Sequence, residues 1–237
     1  MKTNGVESRI KEALLDEGAS LVGFADLSET PADARHSMRF AVSIVVALNA
    51  SIIENICAGP TQEYYSEYTK ANALLSHLGQ LTCSILRDHG HQAIPKAPTG
   101  VGIDPHTQST VLPHKTVATR AGLGWIGKCA LLVTDEYGSA IRLTTVLTDA
   151  ELETAIPVDY SRCGDCVICV NSCPGKAPSG KNWNVNVYRN SFFDAFACAS
   201  AAKEYALTKI GIDDTICGIC ISVCPWTMRY IERKVHH

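Results

Sequence analysis

Cysteine spacing constrains this chain more than any other feature. Eight of its eleven cysteines lie between Cys163 and Cys224. Four of them read Cys163-x2-Cys166-x2-Cys169-x3-Cys173-Pro174, and three more read Cys217-x2-Cys220-x3-Cys224-Pro225. The second run superposes residue for residue on Cys166 to Pro174, but Asp214 stands where Cys163 would have its counterpart. Cys198, in Phe196-Ala197-Cys198-Ala199, is the only other cysteine of this region and the natural replacement.

A cubane iron–sulfur cluster needs thiolates converging from several directions, and a short loop supplies three before the chain turns into a helix. In two-cluster bacterial ferredoxins the cysteine before proline crosses to the other cluster. Applied to this chain, the rule predicts one [4Fe-4S] cluster on Cys163, Cys166, Cys169 and Cys224, and a second on Cys173, Cys198, Cys217 and Cys220. The competing readings are two tetrahedral zinc sites and a disulfide framework. Zinc sites also use C-x2-C pairs, but evenly spaced cysteines ending in Cys-Pro, occurring twice, favour iron–sulfur. The amino terminus, Met1 to Glu7, leads into a polar amphipathic segment with no apolar core of a signal peptide. A reducing, cytoplasmic location is therefore expected, which disfavours disulfides. No apolar run approaches the ~20 residues that span a bilayer, so no membrane association is expected.

With 237 residues, one substantial domain and a small one fit. The balance of 21 basic against 24 acidic residues, net charge -3, shows no block of Lys and Arg, and nucleic acid is not expected as a partner. Residues 1–158 read as an α/β domain and 159–237 as the cluster module, joined by a linker from Asp149 to Asp159. Val6, Ile10, Leu14 and Gly18 space one face of a first helix, with Asn4 and Glu7 placed like a capping pair. Leu21 to Ala25 reads as a strand. Phe40 to Leu48 is a nearly uncharged β-branched run, as in a central strand covered on both faces. Thr61 caps a long helix whose core stripe is Leu74, Leu78, Leu81 and Ile85, ending at Gly90. Cys57 and Cys83 read as inert thiols. Ala130 to Thr134 and Ala140 to Leu147 flank Asp135-Glu136-Tyr137-Gly138 as a hairpin.

The segment Ala121-Gly122-Leu123-Gly124-Trp125-Ile126-Gly127-Lys128 carries three glycines in six residues, which permit close backbone approach. It follows a helix-like stretch and precedes a strand, the reverse of a dinucleotide-binding loop. A tight glycine corner packing helix on strand is the simpler reading.

Taken together, Arg120 to Lys128, the strands after it, the C-x2-C-x2-C-x3-C-P run, a lone cysteine and Cys217-x2-Cys220-x3-Cys224-Pro225-Trp226 resemble epoxyqueuosine reductase, a family related to reductive dehalogenases. The resemblance covers residues 108 to 228. It implies an α+β chain: an amino-terminal domain like that of cobalamin-dependent reductases and a carboxyl-terminal two-cluster ferredoxin-like module. It also implies a cobalamin beside the clusters, with Gly122, Gly124, Trp125, Lys128, Leu132, Val133 and Thr134 contributing to its floor. Electrons would come from a low-potential ferredoxin or flavodoxin and pass to a small molecule or to a corrinoid held by another protein.

Three departures bear on the reaction. The family's acidic proton donor falls on Gln108 when counted back without gaps from Ala121, and an amide cannot deliver a proton as a carboxylic acid does. Asp104, His106 and His114 are the candidates to substitute for it, each with a solvated loop residue as its simpler reading. The chain ends thirteen residues beyond Cys224, where the family continues into a helical-repeat region associated with tRNA. Cys129 stands where the family often has His or Asn after Gly-Lys; it reads as a buried neutral thiol, with a place facing a bound cofactor as the alternative. The expectation is an iron–sulfur reductase acting through a corrinoid, and not on epoxyqueuosine in tRNA. The alternative is a non-catalytic electron carrier without cobalamin.

Overall fold

The computed structural model describes residues 5–99 and 102–235. Asn4, half of the expected capping pair, and the terminal His236 and His237 lie outside them. The elements run α1 (Val6–Asp16), β1 (Leu21–Asp26), β2 (Phe40–Ala47), α2 (Ala50–Glu54), α3 (Gln62–Asp88), β3 (Ala93–Lys96), α4 (His114–Arg120), β4 (Trp125–Ile126), β5 (Leu132–Val133), β6 (Ile141–Thr148), α5 (Ile168–Asn171), α6 (Ala195–Ile210), α7 (Ile219–Ser222) and α8 (Pro225–Val235). They form two compact units interleaved along the chain. The first holds residues 1–47, 70–123 and 142–158; the second holds 48–69, 124–141 and 159–237. Residues 48–69 and 124–141, read from sequence as parts of the amino-terminal domain, thus group with the cysteine-rich segment.

The first unit is built on a four-stranded sheet in the order β1-β2-β6-β3. β2 is internal, and seven of its eight residues are buried, as its uncharged β-branched sequence predicts. Its Val42, Ile44 and Val45 are fully buried, each stabilising the fold by about 1.5–3 kcal/mol of apolar transfer. β1 pairs antiparallel with β2, and β3 antiparallel with β6. Ala25, Leu27, Ala41, Val117, Ala121 and Leu147 form one continuous apolar cluster, so the sheet and α4 share a core.

Three local expectations are corrected. Gly5 is the cap of α1 and offers no side-chain bond, while the Glu7 carboxylate accepts from the backbone N–H of Glu153 at 2.8 Å. Thr61 does cap α3, its hydroxyl accepting from Tyr64 N–H at 3.2 Å. The buried stripe of that helix, however, includes Leu75 and Leu86 with Leu78 and Ile85, leaving Leu74 and Leu81 half-buried. Cys83 is buried, and burial pushes its thiol up, as suits an inert residue; Cys57 is exposed.

The third correction concerns the hairpin. The turn exists, because Thr134 and Gly138 exchange two backbone hydrogen bonds. β5 nevertheless pairs with β4, Trp125 opposite Val133, whereas β6 joins the larger sheet. Both β5 and β6 are apolar strands, and sequence does not say which neighbour each takes. Among the described residues no helix is long and apolar enough to cross a membrane.

Candidate metal centre

The two cysteine runs fold alike. Each ends in a one-turn helix, α5 or α7, carrying Cys169 or Cys220 as its second residue, and the two helices pack on each other. Backbone N–H groups point at the sulfurs that follow or precede these turns. Ala177 N–H donates to Cys173 Sγ at 3.4 Å. Ile219 donates to Cys217, and Thr227 and Trp226, opening α8, donate to Cys224. Such donors favour a thiolate over a thiol, the form that ligates metal.

The pairwise neighbours cross between the runs. Cys163 and Cys169 act electrostatically on Cys224, and Cys173 acts on Cys217. Burial is the largest influence on both Cys217 and Cys224, raising each thiol, with the neighbouring sulfurs adding to it. Cys198 lies in the first turn of α6, whose cap Asp194 accepts from Phe196 and Ala197 N–H. Gly175, two residues beyond Cys173, abuts that same turn: a Cβ there would lie 2.5 Å from the Ala197 carbonyl. The backbones bearing Cys173 and Cys198 are therefore in contact. Among the described residues no three such side chains close on one point as ligands of a single ion. A cubane asks for a wider arrangement, four thiolates around a body of irons and sulfides.

The second unit supports this framework from several sides. Trp125 is fully buried and meets Trp226 edge to face at 4.8 Å, and the Arg162 guanidinium lies over Trp125 at 5.1 Å while pairing with Asp135 at 3.0 Å. Tyr230 of α8 donates its hydroxyl to the Leu48 carbonyl at 2.9 Å, and Thr227 accepts from Ser139 N–H at 3.0 Å. The N-terminal turn of α8, with its two donors to Cys224, is thereby held from both neighbours.

The residues expected to floor a corrinoid do not present an open face. Trp125, Lys128, Leu132, Val133 and Thr134 are each at most 3% exposed. The glycines approach protein: a Cβ on Gly122 would lie 2.9 Å from Ala155 Cβ, and one on Gly124 only 2.1 Å from the Val133 carbonyl. The glycine corner is a packing device. Trp125 Nε1 is buried without a hydrogen-bond partner.

The candidate proton donors are also placed. Asp104 to Gln108 form an exposed turn in which the Asp104 carboxylate accepts from His106 N–H and the Thr107 hydroxyl, and Gln108 takes a left-handed backbone with φ 51. His114 begins α4 in the first unit. Its Nε2 is 2.9 Å from the Ala97 carbonyl and its Nδ1 2.9 Å from Thr145 Oγ1. A carbonyl only accepts, so Nε2 carries the proton and Nδ1 accepts from the hydroxyl. Both nitrogens are committed, and the residue ties backbone together rather than donating to a substrate. It lines a cleft of about 590 Å³ with Asp33, His36, Lys96 and Arg142.

Burial holds the His114 imidazole below its ordinary 6.5, with Lys96 and Arg142 also opposing a positive charge and the bond to Ala97 working the other way. The unfolded chain therefore takes up this proton first, so the contribution is complete above about pH 6.5 and is lost as pH falls below it. Urea midpoints should drop between pH 7.5 and 5.5, and drop less over that window in His114→Asn. An equal drop in both would assign the acid sensitivity to other groups.

The sequence offers Cys129 two roles, a buried neutral thiol or a residue facing a bound cofactor. Its surroundings are more specific: it contacts the thiols of both Cys169 and Cys220. The available signal was its place one residue after Gly127-Lys128, but spacing alone does not bring a hairpin tip to the cysteine runs.

Fold and cysteines together define a double-cluster iron–sulfur redox protein. Residues 162–227 match the 4Fe-4S double cluster binding domain. The chain is 31% identical over 175 residues to epoxyqueuosine reductase of Aliivibrio fischeri, covering 70% of this chain and 43% of that one. It is 41% identical over 110 residues to that of Lactococcus garvieae, covering 46% and 30%. In structure it resembles an epoxyqueuosine reductase solved with an epoxyqueuosine-modified tRNA-Tyr stem loop, with TM-score 0.66, 20% identity, and 96% and 66% of the two chains covered. It also resembles a reductive dehalogenase described for B12-dependent dehalogenation, with TM-score 0.69, 17% identity, and 91% and 31% covered. The chain is thus similar in sequence to epoxyqueuosine reductases and shares their fold. It spans less than half the length of the curated relatives it matches.

Proposed function

We propose that this protein is an oxidoreductase that relays single electrons through two [4Fe-4S] clusters, one on Cys163, Cys166, Cys169 and Cys224 and the other on Cys173, Cys198, Cys217 and Cys220. The observation that carries the reading is the crossing of the runs, Cys224 beside Cys163 and Cys169 and Cys217 beside Cys173. When bound, the clusters supply one-electron chemistry at potentials set by charge, hydrogen bonds and exposure. The chain's part is to hold the thiolates, to aim the N–H groups of Ala177, Ile219, Trp226 and Thr227 at them, and to exclude water with Trp125 and Trp226.

The donor we propose is a low-potential ferredoxin or flavodoxin. For the acceptor, the likeness in fold to reductive dehalogenases supports a corrinoid, but the packing of residues 122–134 does not fit one. A small-molecule acceptor is supported by the cleft at Lys96 and Arg142, whose volume lies within the usual range of ligand sites. The lack of a carboxylic acid at Gln108 favours a substrate other than the epoxide handled by the tRNA-binding relatives.

Anaerobic titration separates the two function classes. Dithionite-reduced protein should transfer electrons to added hydroxocobalamin and change the cobalt EPR signal in a saturable, stoichiometric way if a corrinoid is the acceptor. Electron uptake with no saturable corrinoid response would leave the carrier reading and remove the corrinoid.

A further inference from the structure

Cys129 sits at the tip of the β4–β5 hairpin, in a turn closed by the hydrogen bonds Gly127 N–H to Leu131 O at 2.9 Å and Ala130 N–H to Gly127 O at 2.8 Å. Ala130 takes a left-handed backbone, φ 58, to make that turn. The tip reaches the cysteine runs: a Cβ on Gly127 would lie 3.6 Å from both Cys129 Sγ and Cys163 Sγ. Cys129 itself is only 5% exposed and touches Cys169 of α5 and Cys220 of α7, one sulfur from each proposed cluster. Beside it Lys128 is 3% exposed and places its charge near Cys169. The hairpin thus inserts a ninth sulfur between two sets of four.

We infer that Cys129 is a hydrogen-bond donor shared by the two clusters, its S–H directed at the thiolates of Cys169 and Cys220, and that it sets both reduction potentials. Two cubanes take eight thiolates, so the ninth sulfur is left as a thiol with one proton to share. A donor near a ligating sulfur stabilises the more negative, reduced state of the cluster more than the oxidised state, and so raises its potential. No electron or proton is transferred to Cys129. The inference rests on the two-cluster reading above and adds a positioning residue to it.

The test is an EPR-monitored redox titration of reconstituted wild type, Cys129→Ala and Cys129→Ser, with Cys83→Ala as a buried-thiol control from the other unit. Cys129→Ala should keep the wild-type iron content while both midpoints move to more negative values. Cys129→Ser, which restores a donor, should recover part of both shifts, and Cys83→Ala should move neither. Unchanged midpoints in Cys129→Ala, or a shift of one cluster alone, would overturn the shared donor. If Cys129→Ala does not assemble, the serine variant decides: both midpoints displaced together to more negative values uphold the shared donor, and unchanged midpoints or the displacement of one cluster alone overturn it. Wild type holding a single cluster would instead overturn the reading on which the inference rests, an outcome visible in iron content before any potential is measured.

Discussion

Cys224→Ser should abolish the same cluster as Cys163→Ser, although the two residues are sixty-one positions apart and belong to different runs. Cys173→Ser should in turn behave like Cys217→Ser and Cys198→Ser. The reason is geometric: Cys224 stands beside Cys163 and Cys169, whereas Cys173 stands beside Cys217 and shares a backbone contact with the helix bearing Cys198. Each substitution should lower iron from about eight to about four atoms per chain, because one cubane is lost and the other keeps its four thiolates. The decisive readout is the EPR spectrum of the cluster that survives. It should fall into two classes, with Cys163, Cys166, Cys169 and Cys224 in one and the remaining four in the other. If Cys224→Ser groups with Cys217→Ser, each run holds its own cluster and the crossing is wrong.

Gly124→Ala should be the most damaging substitution outside the cysteines. A methyl group there would sit 2.1 Å from the carbonyl oxygen of Val133, a backbone atom fixed by the β4–β5 pairing and unable to move as a flexible side chain could. Opening that pair would also displace the fully buried Trp125 and the hairpin tip. A cost on the order of 4 kcal/mol is expected, at the severe end of single substitutions. The variant should show a lowered melting temperature and fail to retain iron after reconstitution. Wild-type melting and wild-type iron would mean that the hairpin does not support the cysteine runs.

The double-cluster domain was legible because cysteine spacing encodes its geometry directly: three thiols from one loop, a proline to turn the chain, and a fourth thiol for the neighbour. β2 was legible for a different reason, since a strand buried on both faces carries an uninterrupted apolar sequence. The pairing of β5 was not, because Leu132-Val133 satisfies either neighbour equally well by pattern. Its choice of β4 depends on Gly124 admitting the Val133 carbonyl, a tertiary contact without a sequence signature. The glycine segment takes the form of its simpler reading, a tight corner packed on protein. Glycines that permit close approach say nothing about what approaches, and at Gly122 and Gly124 it is protein rather than cofactor. His114 was visible as a polar residue near the segment, but only its two bonds, to Ala97 and Thr145, show that its nitrogens are already committed. Cys129 was hidden for the corresponding reason, being brought to Cys169 and Cys220 by the hairpin and not by spacing.

Mössbauer spectroscopy of protein reconstituted anaerobically with ⁵⁷Fe counts the cubanes that the eight cysteines of one chain hold. Two cubanes give about eight irons per chain, all in the [4Fe-4S] form, with a matching amount of acid-labile sulfide. About four irons per chain, or iron in mononuclear sites without sulfide, would contradict that count.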